Sequence, residues 1–236
     1  MTEPIRINKR MAELGLCSRR EADSLIEKGV VFVDGALAVM GQKVASTAKL
    51  EVKDGAPREL QYLAYYKGRG IITHSPAANE TDIAMRLKKD FGLVGVYPVG
   101  RLDKDSEGLL LVTNDGRLTA PLLSPESGIE KVYEVEVDKP VTGSLLMSLE
   151  RGVNIEGYQT KKATATKLTN KRFTLTLTEG KKHQIRRMCA ALGFQVQSLK
   201  RVKIAEIEIG KLKPNQYRKL DDLELASLLK LLSVTT

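Results

Sequence analysis

The run Gly108-Leu109-Leu110-Leu111-Val112-Thr113 constrains the fold more than any other stretch of the chain. Side chains alternate across a strand, and here both alternating sets are almost wholly apolar, so the segment reads as a buried strand. Asn114-Asp115-Gly116 closes it with a turn signature. The remaining elements must then supply a sheet around it. Leu63–Tyr66, Ile71-Ile72, Ala163–Leu168, Phe173–Leu177, Gln195–Leu199 and Ile204–Ile209 read as strands. Tyr133–Val137 alternates strictly, with Tyr133, Val135 and Val137 on one face and Glu134 and Glu136 on the other. Thr81–Phe91, Thr142–Glu150 and Lys182–Leu192 read as helices, the last with Ile185, Met188, Cys189 and Leu192 as its apolar stripe and Gly193 as its stop. Helices scattered among many strands, without a regular strand–helix–strand rhythm, predict an α+β fold with a mostly antiparallel sheet.

The first sixty residues read as a separate small module. Ile7–Leu14 is helical in composition and Gly15 stops it. Ser18-Arg19-Arg20-Glu21 is a capping box opening a second helix through Ala22, Leu25 and Ile26, which Gly29 ends. Val31-Phe32-Val33 then runs as a strand into an Asp34-Gly35 turn. Residues 53–60 (KDGAPREL) are polar with Gly and Pro and read as a linker. This divides the chain into residues 1–52, a linker at 53–60 and a larger domain at 61–236.

Charge is distributed unevenly. The net charge is +9, yet the first sixty residues carry ten basic and nine acidic side chains. Thr160–Lys203 carries twelve basic residues against the single acid Glu179. One concentrated basic patch calls for a polyanion, with nucleic acid first. The only cysteines, Cys17 and Cys189, form no metal-binding pair and fit a reducing cytoplasm. With two histidines in all, a multi-histidine metal site is out of reach, and neither a metal nor a cofactor is expected. No apolar run is long enough to span a membrane, and no membrane partner is expected.

Three segments could carry chemistry. Val99–Gly108 (VGRLDKDSEG) is a polar loop with an arginine and several acids, feeding straight into the buried strand. It reads equally as a functional loop or as an acid-rich turn with Arg101 in a local salt bridge. Glu130-Lys131-Val132-Tyr133 places Tyr133 on the apolar face of its strand, where a core role is the ordinary one. Glu179–Cys189 (EGKKHQIRRMC) crowds cations at the start of a helix, the positive end of the dipole. That local conflict points to an anionic partner, or to a basic helix that merely binds RNA phosphates.

Together these segments resemble the RsuA/Rlu family of pseudouridine synthases, in the branch with an N-terminal S4-like domain. Ser18-Arg19-Arg20-Glu21-Ala22 with Val33-Asp34-Gly35 resembles the S4-like RNA-binding module. Gly100-Arg101-Leu102-Asp103 with Ser106, Gly108 and Leu109 resembles the nucleophile segment, Lys131-Val132-Tyr133 the tyrosine segment, and His183-Gln184-Ile185-Arg186-Arg187-Met188 the arginine segment. Arg186-Arg187-Met188-Cys189 and Thr160-Lys161-Lys162 look most like the RluF-type large-subunit branch. Lys67-Gly68-Arg69-Gly70 departs from the family's Lys-Pro-x-Gly pattern by lacking the proline, which predicts a looser loop there.

The resemblance implies an S4-like domain followed by a pseudouridine synthase domain whose mostly antiparallel mixed sheet is flanked by helices. It implies isomerisation of a uridine in ribosomal RNA, large-subunit RNA first and transfer RNA second, by a cytoplasmic monomer. Asp103 would be the essential carboxylate, Arg186 its ion-pair partner, and Tyr133 the ring stacked on the uracil. Arg101 would hold the target nucleotide out of its stack and Leu199 would wall the base. Arg19, Arg20, Lys181, Lys182, His183, Gln184, Arg187, Lys200 and Arg201 would contact RNA. Two rivals remain: a non-catalytic S4-type ribosome assembly factor, for which Asp103 is dispensable, and a nucleoside hydrolase, which would need Asp105 as a second acid.

Overall fold

A computed structural model describes residues 3–53, 59–74 and 82–231, with the side chain of Arg20 also left aside. The expected linker falls largely outside the described residues, as does Thr81 at the start of its expected helix.

The N-terminal elements follow their local signals. Helix Ile7–Glu13 ends before Gly15, which sits at φ +72°, and helix Arg19–Glu27 opens on Ser18 with both arms of the capping box formed. Asp34 and Gly35 both take positive φ between the paired strands Val31–Val33 and Ala36–Leu37. A third strand, Leu50–Val52, pairs on the other side of Val31–Val33. Ile7, Met11, Ala22, Ile26, Val31 and Val44 pack into an apolar cluster drawn only from this segment.

The rest is built on one mixed sheet. Its order is Thr164–Lys167, Arg172–Leu177, Lys131–Val137, Val196–Ile204, Glu107–Thr113, Tyr62–Lys67 and Tyr217–Lys219, with Tyr97–Val99 and Ile207–Glu208 attached to Glu107–Thr113 and Val196–Ile204. Every pairing is antiparallel except that between Val196–Ile204 and Glu107–Thr113. Glu107–Thr113 lies inside the sheet, and its two faces serve different cores. Leu109 and Leu111 pack with Leu118, Leu122, Leu228 and Leu229, whereas Leu110 and Val112 pack with Ile83 and Leu87. All four side chains on that strand are essentially inaccessible, which is why both of its faces are apolar. Val135 and Val137 pack under Leu145, Leu149, Ile185, Met188 and Cys189 from the helices Gly143–Arg151 and Gln184–Ala191.

Several local expectations yield to tertiary context. Ile71-Ile72 is no strand and makes only a single bridge, Ile72 to Asp82. Asn114-Asp115-Gly116 ends the strand as expected, and the chain turns there into a helical segment. Asp115, fully buried, caps a 3₁₀ turn at Gly116–Leu118 that leads into helix Thr119–Leu123. The two expected strands at 195–199 and 204–209 are one long strand, Val196–Ile204, plus the short Ile207–Glu208, because Lys200 and Arg201 pair with both neighbours in mid-sheet and Lys203 with Val132. The basic helix begins at Gln184, so Lys181, Lys182 and His183 lie in the loop before it.

The parallel pair depends on one glycine. Gly108 stands opposite Arg201 at φ +112°, and a Cβ there would lie 2.2 Å from the Arg201 carbonyl oxygen and 2.6 Å from its nitrogen. Both obstacles are backbone and cannot swing aside. Gly108→Ala is therefore expected to destabilise the protein by at least about 2 kcal/mol in urea unfolding. A variant of unchanged stability would show that the two strands do not meet this closely.

Candidate active site

Residues 100–106 form a loop between the strands Tyr97–Val99 and Glu107–Thr113, and its backbone is tied down at several points. Thr73 Oγ1 donates to the Leu102 carbonyl at 2.6 Å and accepts from the Leu102 N–H at 3.1 Å. The Gly70 N–H donates to the Lys104 carbonyl at 2.8 Å. Lys67 is fully buried and its Nζ reaches four carbonyls, those of Gly68, Ile71, Lys104 and Ser106, at 2.7–3.4 Å. Burial pushes the Lys67 pKa down to about 8, against the pull of Asp103, Asp105 and Glu107. The loop is thus held by a cation solvated with protein carbonyls in place of water.

The segment without the family's proline is correspondingly well anchored. Gly68 gives its N–H to Asn215 Oδ1 at 3.1 Å, a bond proline could not make, and a Cβ at Gly68 would meet that same oxygen at 2.7 Å. The looser loop expected from the glycines is not what the hydrogen bonds describe.

Beside this loop opens a cavity of about 560 Å³, within the usual range for a ligand site. Arg101, Asp103, Tyr133, Lys181, Lys182, His183, Gln184, Leu199 and Arg201 all line it. Four chain segments, scattered from residue 101 to residue 201, therefore converge as the sequence motifs imply. Tyr133 is 8% exposed, on the strand paired to Arg201. Asp103 is partly exposed, and its Oδ1 lies 3.4 Å from His183 Nε2. His183 caps the basic helix from the left-handed region, at φ +52°, an uncommon conformation for a residue with a Cβ.

Arg186 departs from its expected role. It makes no ion pair with Asp103, because its guanidinium is already engaged. Nη1 donates to the Val196 carbonyl at 3.1 Å and Nη2 to the Asp105 carbonyl at 3.3 Å. Arg186 thus grips the loop two residues from Asp103 through the backbone. Arg187 turns away from the cavity to Glu156, at 2.6 Å, and the carbonyls of Ile155 and Lys182. Lys200 lies over the Tyr66 ring and does not line the cavity. Arg19 is exposed on the N-terminal segment.

Three supporting residues went unread in the sequence. Glu179 is buried and accepts from Tyr158 Oη, the Lys161 N–H and Gln184 Nε2 at 2.6–2.9 Å, fastening the loop that precedes the basic helix. Burial works against its charge, but these donors outweigh it and hold the carboxyl below its ordinary range. Thr73 and Lys67 act through backbone carbonyls, and no spacing rule reveals that.

The comparisons with known proteins agree with this geometry. Residues 61–191 match the family model for RNA pseudouridylate synthases. The dual-specificity RNA pseudouridine synthase RluF of Escherichia coli K12 is 38% identical over 97% of this chain and 79% of its own length. The ribosomal large subunit pseudouridine synthase B of Bacillus subtilis is 36% identical over 94% of this chain and 95% of its own. A solved pseudouridylate synthase structure superposes with a TM-score of 0.71 at 29% identity, covering 95% of this chain and 99% of that one. The chain belongs to the RNA pseudouridylate synthase family, and it is an isomerase acting on RNA. No helix among the described residues is long and apolar enough to cross a membrane.

The Lys67 cage yields a pH prediction. A lysine whose folded pKa lies near 8, below its unfolded value of about 10.4, takes up fewer protons folded than unfolded between those values. Its contribution to stability therefore rises with pH across that window and is flat below it. The unfolding free energy of wild type relative to Lys67→Met should increase from pH 8 to 10, while being constant between pH 6 and 7. A pH-independent difference would refute the low pKa.

Proposed function

We propose that this enzyme converts a specific uridine of ribosomal RNA, in the large subunit, to pseudouridine, with Asp103 as the essential carboxylate. The observation that carries the reading is Asp103 at the edge of a cavity whose wall holds buried Tyr133 and whose surroundings are cationic. The substrate assignment is supported by the relatives' names, one of which specifies the ribosomal large subunit.

The chemistry suits these groups. The N1–C1′ bond breaks, the uracil turns, and C5 joins C1′ while the C5 hydrogen leaves as a proton and N1 gains one. A carboxylate beside an electron-poor sugar carbon stabilises or attacks it, as in glycoside chemistry. Tyr133 offers a rigid face for the base, and its hydroxyl a proton relay at C5. Arg101 and the exposed Lys181, Lys182 and His183 at the mouth contact the backbone of the extruded nucleotide. Arg186 positions the Asp103 loop through the Asp105 carbonyl. Residues 1–52 act as an S4-like RNA-binding module, with Arg19 and Arg20 at its helix start on phosphates, and residues 61–236 carry the catalysis.

Forming the C5–C1′ bond must release the C5 hydrogen, so tritium release from RNA carrying 5-³H-uridine reports the rearrangement. Wild type should release tritium from ribosomal RNA and Asp103→Asn should lose at least about 10³-fold in rate with RNA affinity retained. Full activity in that variant would remove Asp103 from the mechanism. Retained binding with no release by wild type on any RNA would favour an assembly factor.

Binding should also weaken steeply with salt, because each phosphate neutralised on duplex RNA contributes a slope of roughly −0.9 in log affinity against log salt. Replacing Lys181 and Lys182 with Gln should make that slope shallower by about two. An unaltered slope would place the phosphates elsewhere.

A further inference from the structure

Arg201 is a buried and incompletely compensated charge on the cavity wall. It is 4% exposed and sits in mid-sheet, paired with Tyr133 on one side and Gly108 on the other. Its Nε donates to the Leu109 carbonyl at 2.7 Å, and its Nη2 is buried with no hydrogen-bond partner. Among the described residues no carboxylate lies within ion-pair distance of it. A buried guanidinium left in that condition is strongly unfavourable unless something else meets it.

Two further polar groups stand on the same wall, Lys131 half-buried and Ser106 fully buried. Lys131 precedes Tyr133 by two residues on its strand, hence on the same face, and its ammonium donates to the Ile129 carbonyl at 3.2 Å without an acid partner among the described residues. Burial and the charge of Arg201 lower its pKa. Ser106 is 1% exposed and its Oγ has no partner. Arg201, Lys131 and Ser106 all line the cavity that holds Asp103 and Tyr133.

The exposed cations and those on the cavity wall, Arg201 buried and Lys131 half-buried, are suited to different parts of the substrate. Arg101, Lys181 and Lys182 at the mouth face solvent, where RNA phosphates stay hydrated. Arg201 and Lys131 belong to the wall that carries Tyr133, against which the extruded base would lie. We propose that Arg201, assisted by Lys131 and the Ser106 hydroxyl, receives the oxygen edge of the uracil and stabilises the negative charge of the ring as it leaves the sugar.

This rests on the pseudouridine synthase reading and adds the half of the reaction that Asp103 does not serve. When C1′–N1 breaks, the bonding electron pair goes to N1. The sugar becomes electron-poor at C1′, and the ring becomes a uracil anion with charge spread over N1, O2 and O4. Asp103 stabilises the sugar. The ring then turns, C5 donates an electron pair to C1′, the C5 proton departs and N1 is reprotonated, so no atom or electron is gained or lost overall. Fixed cations in a water-poor pocket are strong stabilisers of developing negative charge, because they need no reorganisation when it appears. Two adjacent cations also leave a partner for O2 and for O4 as the ring changes orientation.

The test compares wild type with Arg201→Gln, Arg201→Lys and Lys131→Gln in the full chain. Single-turnover consumption of the target nucleoside is followed by nuclease digestion and chromatography, on RNA carrying either uridine or 5-fluorouridine at the target. Fluorine makes the departing ring a more stable anion. On uridine, Arg201→Gln should lower the rate at saturating RNA by about 10²–10³-fold, with RNA affinity and its salt slope unchanged. Arg201→Lys should recover part of that loss, and Lys131→Gln should show a smaller one. On 5-fluorouridine each penalty should shrink at least tenfold for Arg201→Gln and proportionately for Lys131→Gln. A penalty equal on both substrates overturns the proposal, since damage to the fold is blind to the leaving group. A weaker affinity with a shallower salt slope and an unchanged rate makes Arg201 a phosphate contact instead. Should the Arg201 variants fail to fold, Lys131→Gln decides by the same ratio. Inactivity of wild type on uridine would strike the enzymatic reading itself, whereas an active wild type with no substrate-dependent penalty strikes only this inference.

Discussion

Lys67 sends its ammonium into four backbone carbonyls, and the loop bearing Asp103 takes its shape around it. Two of those carbonyls, of Lys104 and Ser106, bracket the turn just after Asp103, while Thr73 holds Leu102 just before it from both its N–H and its carbonyl. A loop this polar would otherwise sample many conformations, and a carboxylate on it would have no fixed relation to the cavity. Restraining the backbone on either side of Asp103 fixes the side chain's position while leaving it partly open to solvent. Arg186 adds a third restraint from the basic helix, through the Asp105 carbonyl. The site is therefore organised through the backbone of its loop more than through contacts to its carboxylate.

How much of this was legible follows the distance over which each feature is determined. The capping box at Ser18 and Glu21, the turn at Asp34-Gly35 and the alternation along Tyr133–Val137 are local, and the structure keeps all three. The double-sided burial of Leu109–Val112 was equally plain, since a strand apolar on both faces has few places to go. Residues 195–209 misread because Lys200, Arg201 and Lys203 look like a solvated break between strands. Nothing in their neighbourhood announces that Glu107–Thr113 and Lys131–Val137 flank them. The Asn-Asp-Gly run ends the strand as its turn signal says, while the burial of Asp115 against Tyr62 and Arg117, at the start of a helical segment, is tertiary and has no local sign.

The candidate site shows the same division. Motifs from four segments located Asp103, Tyr133 and the basic loop, and one cavity gathers them. The partner expected for Asp103 was different, because motif order says which segments meet but not which atoms do. Arg186 finds carbonyls, and the imidazole of His183 stands nearest the carboxylate. The anchoring roles of Lys67, Thr73 and Glu179 have no sign in the sequence. Their partners are mostly backbone groups, and a backbone carbonyl carries no signature in the sequence.

Gly108 ties these observations together. In the sequence it opens the buried strand and belongs to the nucleophile segment, and its lack of a side chain is required by Arg201, more than ninety residues away. Only a glycine lets the strand leaving the Asp103 loop lie directly against the strand bearing Arg201. Four residues then separate Asp103 from the contact on one side, and Arg201 is the contact on the other. The spacing between the carboxylate and the buried guanidinium is thereby set by a backbone-to-backbone approach, the stiffest kind of contact a protein offers. On the proposed mechanism positive charge develops on the sugar and negative charge on the base, and each needs an opposite charge that is not neutralised by the other. Asp103 anchored on a caged loop and Arg201 anchored in mid-sheet, with Gly108 linking the two strands, line one cavity without pairing.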